Sequence, residues 1–206
     1  MTGDGRPFGL AARALQAVLL ALVGYGLVTG TVGLAVNAVL SLAVTFVPAG
    51  LERRYDHEVD PRLSLWIAVA ATVHAVGFLG PYDAQTGLLA WYDQVAHMIS
   101  AGFVAGVGYV LLEALDKGSD RVRFPEEFRL AFVVVFILAF GVLWEIAEFA
   151  GGAVGKTVTG QEVLIQYGIV DIVSDLVFNT IAAVAVALWG TGYFDDIGAI
   201  ATGRLS

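Results

Sequence analysis

Long uncharged apolar runs dominate the chain, and short polar breaks separate them. Residues 14–51 contain no charged residue. One helix over that run would be about 55 Å long, too long for a hydrocarbon core of about 30 Å. The turn signal Thr-Gly-Thr-Val-Gly at 29–33 divides the run in two. The whole pattern predicts six membrane-spanning helices, at 11–29, 33–50, 63–80, 91–114, 128–151 and 163–190.

These runs lack the alternation typical of a β-barrel. The predicted fold class is therefore all-α, a polytopic membrane helix bundle that forms a single integral membrane domain over 1–206. The composition agrees, because 58% of the 206 residues are hydrophobic and only 15% are charged. The absence of Cys excludes disulfides and thiolate metal sites.

The charge pattern predicts orientation and partners. If the N-terminus is cytoplasmic, all basic residues except Lys156 fall in cytoplasmic segments, which is a strong positive-inside signal. We therefore expect a cell-membrane protein with both termini in the cytoplasm, including a polar tail from Thr191. The partners expected are membrane lipids and no nucleic acid, since no basic cluster exists. The net charge of −8 indicates either a halophilic source or chance.

Several ionisable side chains interrupt the predicted spans, where a charge is costly and usually functional. They are His74, Asp93, His97, Glu145, Glu148, Asp171 and Asp175. Where one helix carries two of them, their spacing of three or four residues places both on one face. Counted from the predicted outer helix ends, four helices carry such a residue at a depth of about 9–12 Å. This shared depth predicts one pocket near the outer face.

No Lys or Arg lies near these acids within the spans. They must be neutralised by a divalent cation or by protons, unless they form a structural polar network between helices. Carboxylates with imidazole suit Mg, Mn or Zn. The predicted metal ligands are Asp93, His97, Glu145, Asp171, Asp175 and His74, and the predicted catalytic residues are Glu148 and Asp171. His74 could equally be a hydrogen-bonding or second-layer residue, and Asn179 is expected to be an interhelical hydrogen bonder.

One segment imitates a nucleotide site. Residues 150–157 approach a phosphate-loop pattern that ends in Lys156 and Thr157, but such a loop follows a strand and opens a helix. This segment follows a predicted membrane helix, so no nucleotide is expected.

The polar motifs resemble a known group. They are VHAVG at 73–77, WYDQVAH at 91–97, WEIAE at 144–148 and DIVSDLVFN at 171–179. In their order and spacing they are similar to the YjdF-like family of multi-pass membrane proteins, which implies a fold but no reaction. A fainter similarity is to VanZ-like membrane proteins, although the basic residue expected before the last acidic stripe is not evident.

These features leave three functions open. The first is a metal-dependent enzyme acting on a lipid or lipid-linked headgroup, and the second is a proton- or cation-coupled transporter. The third is a structural membrane protein without turnover. The substrate and the oligomeric state stay open.

Overall fold

The fold is mainly helical and contains no strand in the part of the chain that the computed structural model describes, residues 5–55, 59–84, 86–117 and 123–189. Seven α-helices follow one another: α1 (Arg6–Thr29), α2 (Val32–Val44), α3 (Val47–Tyr55), α4 (Pro61–Gly77), α5 (Tyr92–Lys117), α6 (Glu126–Thr159) and α7 (Ile169–Trp189). Two short 3₁₀ turns, Pro81–Asp83 and Leu88–Trp91, precede α5. The predicted all-α class is confirmed. The predicted polar tail from Thr191 lies outside the described residues.

Five helical segments are long and apolar enough to cross a membrane: Arg6–Thr29, Val32–Arg54, Leu88–Leu112, Glu127–Thr159 and Ile169–Leu188. The remaining predicted span, 63–80, corresponds to α4, whose 17 residues cover about 25 Å at 1.5 Å per residue. That length is at the lower limit for a membrane-spanning helix. The structure therefore shows a multi-pass helical membrane protein.

Several helix boundaries differ from the sequence prediction. The predicted helix 33–50 is interrupted after Val44, and Pro48, which lacks an N–H, lies in the first turn of α3. The predicted helix 128–151 continues to Thr159. The last helix begins at Ile169 rather than at 163, because Gly160 and Gly168 adopt positive φ angles of 76° and 103° on either side of a non-helical segment.

The chain divides into two compact units. The first comprises the described parts of Met1–Ala96 and Ala147–Gln166, and the second those of His97–Ile146 and Tyr167–Ser206. Helices α5 and α6 each continue from one unit into the other. That the chain forms a single integral membrane domain stays a prediction.

Small residues hold the first unit together. Its core contains Leu19 and Leu22 of α1, Leu34 of α2, and Ala75 of α4, all buried. A Cβ added at Gly26 would lie 2.8 Å from the backbone nitrogen of Ala35. The backbones of α1 and α2 therefore approach as closely as a glycine allows, which is how small residues act in membrane helix packing.

Residues 160–166 of the non-helical segment after α6 belong to the first unit and are fixed by hydrogen bonds within it. Gln161 accepts the backbone N–H of Val32 at 2.9 Å and donates to the carbonyl of Gly30 at 3.0 Å. It thereby satisfies polar groups that the turn between α1 and α2 exposes. Gly33 and Gly152 leave space for backbone carbonyl oxygens of this segment. A Cβ added at Gly33 would lie 2.8 Å from the oxygen of Glu162, and one added at Gly152 would lie 2.7 Å from the oxygen of Leu164. The segment consequently lies directly against helix backbones.

The second unit contains an ion pair at the α5–α6 connection. The carboxylate of Asp116 is buried, pairs with Arg129, and accepts the backbone N–H of Phe124 at 2.8 Å. Arg129 also donates to the carbonyl of Phe124. The buried carboxylate of Asp116 at the end of α5 is thus neutralised by Arg129 near the start of α6.

Candidate metal centre

Over residues 143–149, helix α6 turns two acidic side chains inward and three large apolar side chains outward. Glu145 and Glu148 are 5% and 8% exposed. Between and beside them, Leu143, Ile146 and Phe149 are 60%, 58% and 69% exposed. A helix in water shows the opposite arrangement. The inversion is expected of a helix whose apolar face meets lipid, because ionisable groups in a span face the protein interior.

Helix α7 shows the same inversion. Asp175 is completely buried and Asn179, one turn later, is 5% exposed, whereas Val173 and Val177 are about half exposed. The spacing of four residues places the two polar side chains on one face, as the sequence indicates.

His97 on α5 faces acids of both other helices of the second unit. Its Nε2 lies 3.7 Å from Oδ2 of the buried Asp175. A ring nitrogen also lies within 4.8 Å of a carboxylate oxygen of Glu145. An acidic and histidine cluster built from α5, α6 and α7 is therefore present in this unit, with the imidazole close to each of the two carboxylates.

Two further predicted residues are one helical turn from this cluster. Asp93 is half-buried and precedes His97 by four residues on the continuous helix α5. Glu148 follows Glu145 by three residues on α6. Helix geometry places each on the same face as its neighbour. Their predicted roles as ligand and as base stay predictions.

Asp171 occupies a different level from the one predicted. It is the third residue of α7, about 3 Å from the helix start instead of about 12 Å, because the helix begins six residues late. Its Oδ2 accepts the backbone N–H of Tyr167 at 3.0 Å. Since α6 also extends beyond its predicted end, the helix ends from which the shared depth was counted were wrong, and the depth itself stays a prediction. The side-chain distances alone define the cluster.

His74 belongs to a hydrogen-bonded chain in the first unit. Its Nε2 lies 3.1 Å from Oδ1 of Asn37, and its Nδ1 lies 3.1 Å from the hydroxyl of Tyr82. The Asn37 amide nitrogen donates to the carbonyls of Gly33 and Val163. Oδ1 must therefore accept from Nε2–H, which leaves Nδ1 to accept from Tyr82. The structure shows the hydrogen-bonding role for His74, and metal ligation by it stays a prediction.

Sequence reasoning missed Asn37 and Tyr82 as members of this chain of hydrogen bonds. Asn37 is 2% exposed. A usable signal was present, since it is an amide side chain within the charge-free run 14–51, where a polar group needs a partner. Its partner His74 is 37 residues away, a pairing that no local pattern indicates.

The donor set of the cluster fits a divalent cation. Imidazole nitrogen and carboxylate oxygen are the donors that Zn and Mn accept, and an oxygen excess suits Mg. The segment 150–157, by contrast, is part of helix α6 and does not form the loop that phosphate binding requires.

Comparison with known proteins places the chain in a family without assigning a reaction. The model of a predicted membrane protein family, DUF2238, matches residues 10–196. The YjdF-like resemblance fits this family broadly, whereas a relation to VanZ-like proteins is not shown. No curated protein and no solved structure matches the chain. Because the match covers most of the sequence, the chain belongs to the predicted membrane protein family DUF2238.

Proposed function

We propose that this protein is a divalent-cation-dependent membrane enzyme acting on a lipid or lipid-linked headgroup. The observation that carries the proposal is the position of His97, whose imidazole lies near a buried carboxylate of α6 and near one of α7. In this proposal His97, Glu145 and Asp175 hold the cation. Asp93 and Asp171 are further predicted ligands, one turn from His97 and from Asp175.

Charge balance favours a cation. Helices α5 and α7 carry no Lys or Arg between Asp93 and Asp116 or between Ile169 and Trp189. On α6 the nearest base toward its start, Arg129, is 16 residues from Glu145, about 24 Å along the helix. Carboxylates at such a site cannot all remain charged without compensation. A divalent cation offsets two negative charges and uses the imidazole in its neutral form.

The continuity of the helices favours an enzyme over a transporter. Transporter sites lie on broken helices near the bilayer midplane. Helices α5, α6 and α7 contain no Pro, and each is continuous. In the topology that the positive-inside pattern predicts, the start of α7 lies at the outer face, where outer-leaflet lipid headgroups would be the available substrates.

The chain's own residues take distinct proposed roles. A cation held by His97, Glu145 and Asp175 would supply Lewis acidity for hydrolysis of a phosphoryl or acyl group. Glu148 and Asp171 are the predicted bases for the attacking water. The apolar exteriors of α6 and α7 keep the site within the membrane, where the expected substrate is a lipid.

Metal analysis of purified protein tests the proposal. Wild type should contain close to one divalent ion per chain, and Glu145→Gln and Asp175→Asn should lose it. Glu162→Gln is the matched control, because Glu162 is exposed and pairs with Lys156 at 3.0 Å, so its loss should leave ion content unchanged. Ion binding should weaken as the pH falls, since protons compete for the same ligands.

Activity provides the second measurement. Vesicles of phosphatidylethanolamine and phosphatidylglycerol should release water-soluble headgroup with wild type and added Mn²⁺, but not with Asp175→Asn. The proposal would be overturned if the purified protein contained no ion and its melting temperature were unchanged by chelator and by added Mn²⁺, Zn²⁺ or Mg²⁺. Protonated carboxylates and proton- or cation-coupled transport would then take its place.

A further inference from the structure

Asn179 is a buried amide beside the candidate metal centre with an unsatisfied oxygen. It lies one turn after Asp175 on α7 and is 5% exposed. Its side chain interacts with the imidazole of His97. Its Oδ1 nevertheless completes no hydrogen bond of good geometry with any residue in the described ranges. A buried acceptor without a hydrogen bond is rare in native structures and needs an explanation.

The opposite helix makes room for this amide. A Cβ added at Gly141 of α6 would lie 3.0 Å from Nδ2 of Asn179 and 2.8 Å from Cδ2 of Leu176. The amide nitrogen therefore faces α6 at a position where only glycine gives full clearance. This orientation leaves Oδ1 as the atom available to the imidazole.

The two nitrogens of His97 have different surroundings. Nε2 is the nitrogen that faces Oδ2 of Asp175, at 3.7 Å, and so is the one directed at the candidate cation site. A histidine that binds a metal through one nitrogen almost always donates the other N–H to a fixed acceptor, which sets the tautomer and the ring orientation.

We propose that Asn179 is the positioning residue of this site: its Oδ1 accepts the Nδ1–H of His97 and holds Nε2 toward the carboxylates. The inference rests on the proposed function, because it assigns a role in preparing His97 to bind the cation. It adds a residue that the acidic and histidine pattern alone does not identify.

The closest test replaces the amide with an apolar side chain that branches at the same atom. Asn179→Leu removes the acceptor, and Asn179→Asp retains an oxygen at the same position. Mn²⁺ affinity should fall about 10- to 100-fold in Asn179→Leu, the usual effect of losing such a partner, and should recover in Asn179→Asp. Thr180→Val is the control, because the Thr180 hydroxyl bonds only within its own helix, to the carbonyl of Leu176 at 2.7 Å.

A second measurement does not require a cation. In protein labelled with ¹⁵N-histidine, the ring-nitrogen shifts of His97, assigned by their loss in His97→Gln, report its tautomer. Wild type should show the Nδ1–H form, and Asn179→Leu should show a mixture. If Asn179→Leu does not fold, Gly141→Ala, which displaces the amide without deleting it, should produce the same change of tautomer.

The outcomes separate this inference from the proposed function. Wild type that binds Mn²⁺, together with an Asn179→Leu variant of equal affinity and unchanged tautomer, would refute the role of Asn179 and leave the metal site intact. Wild type that binds no ion would refute the metal site. The ¹⁵N shifts of the His97 ring would still test the role of Asn179. A change of these shifts in Asn179→Leu would show that Asn179 fixes the imidazole, and unchanged shifts would show that it does not.

Discussion

The Gly141→Ala substitution should separate ion binding from stability. The added methyl would meet Cδ2 of Leu176 at 2.8 Å and Nδ2 of Asn179 at 3.0 Å. The Leu176 methyl is the end of a flexible side chain and can rotate away. The amide has less freedom, because it is buried beside His97. We therefore expect a small stability change and a displaced Asn179.

The magnitude follows from two opposing terms. Replacing a helical glycine by alanine favours the helix by about 1 kcal/mol. Overpacking a well-packed site costs about 1–3 kcal/mol, and the lower part of that range applies where a side-chain tip can yield. The net loss of stability is therefore about 0–1 kcal/mol. For a chain of this size that is a fall in melting temperature of about 0–4 °C.

Two other glycines provide matched controls. Gly24 on α1 has no atom within 4 Å of an added Cβ, so Gly24→Ala should be neutral or stabilising. At Gly155 the added atom would lie 2.8 Å from the backbone nitrogen of Val163, and backbone cannot rotate away. Gly155→Ala should be the least stable of the three variants. Melting temperatures in detergent, measured with chelator, give the ranking.

Ion affinity completes the experiment. Mn²⁺ titration should show weaker binding in Gly141→Ala, by about tenfold or more because the partner of His97 is displaced, and unchanged binding in Gly24→Ala. If Gly141→Ala binds Mn²⁺ as wild type does, the reasoning that connects Gly141 to His97 through Asn179 is wrong. A Gly141→Ala variant as unstable as Gly155→Ala would contradict the packing analysis.

Three further predictions concern other parts of the chain. His74→Leu should lower stability by about 1–3 kcal/mol, because it leaves a buried amide oxygen on α2 without its donor; thermal unfolding measures this, and an unchanged melting temperature would argue against the hydrogen-bonded chain. Asp116→Ala should cost about 3–5 kcal/mol, since Arg129 would lose its buried partner, and Asp116→Ala/Arg129→Leu should recover part of the loss in a double-mutant cycle. Cysteines introduced singly at Thr86 and Arg121 of this Cys-free chain should differ in labelling by an impermeant thiol reagent on intact cells; preferential labelling at position 121 would invert the predicted topology.

The inward orientation of the acids could be predicted from sequence because lipid restricts a helix more strictly than water does. A side chain that faces hydrocarbon must be apolar, so an acid within a span must face protein. Spacings of three and four residues then fix which neighbours share its face. Glu145, Glu148, Asp175 and Asn179 are all buried as this reasoning requires.

The helix ends could not be predicted in the same way. Hydropathy reports where the apolar surface ends, whereas a helix continues while its backbone hydrogen bonds are satisfied. Helix α6 extends past its last apolar stretch, and the hydroxyls of Thr157 and Thr159 bond back to carbonyls of Ala153 and Gly155. The segment that follows is held by Gln161 through contacts about 130 residues away in sequence. Long-range contacts of this kind leave no local periodicity.

Helix α6 shows why the proposed function includes a cation. Near its start, Arg129 pairs with the buried Asp116 of α5, so the fold neutralises a buried acid with its own base where one is within reach. Glu145 lies 16 residues further along the same helix, beyond the reach of Arg129, and a ring nitrogen of His97 lies within 4.8 Å of its carboxylate. A proton shared by these two groups would neutralise one negative charge. The proposed divalent cation would offset two and would use the imidazole nitrogen and the carboxylates together as ligands, so the ion content of Glu145→Gln and Asp175→Asn decides between the two.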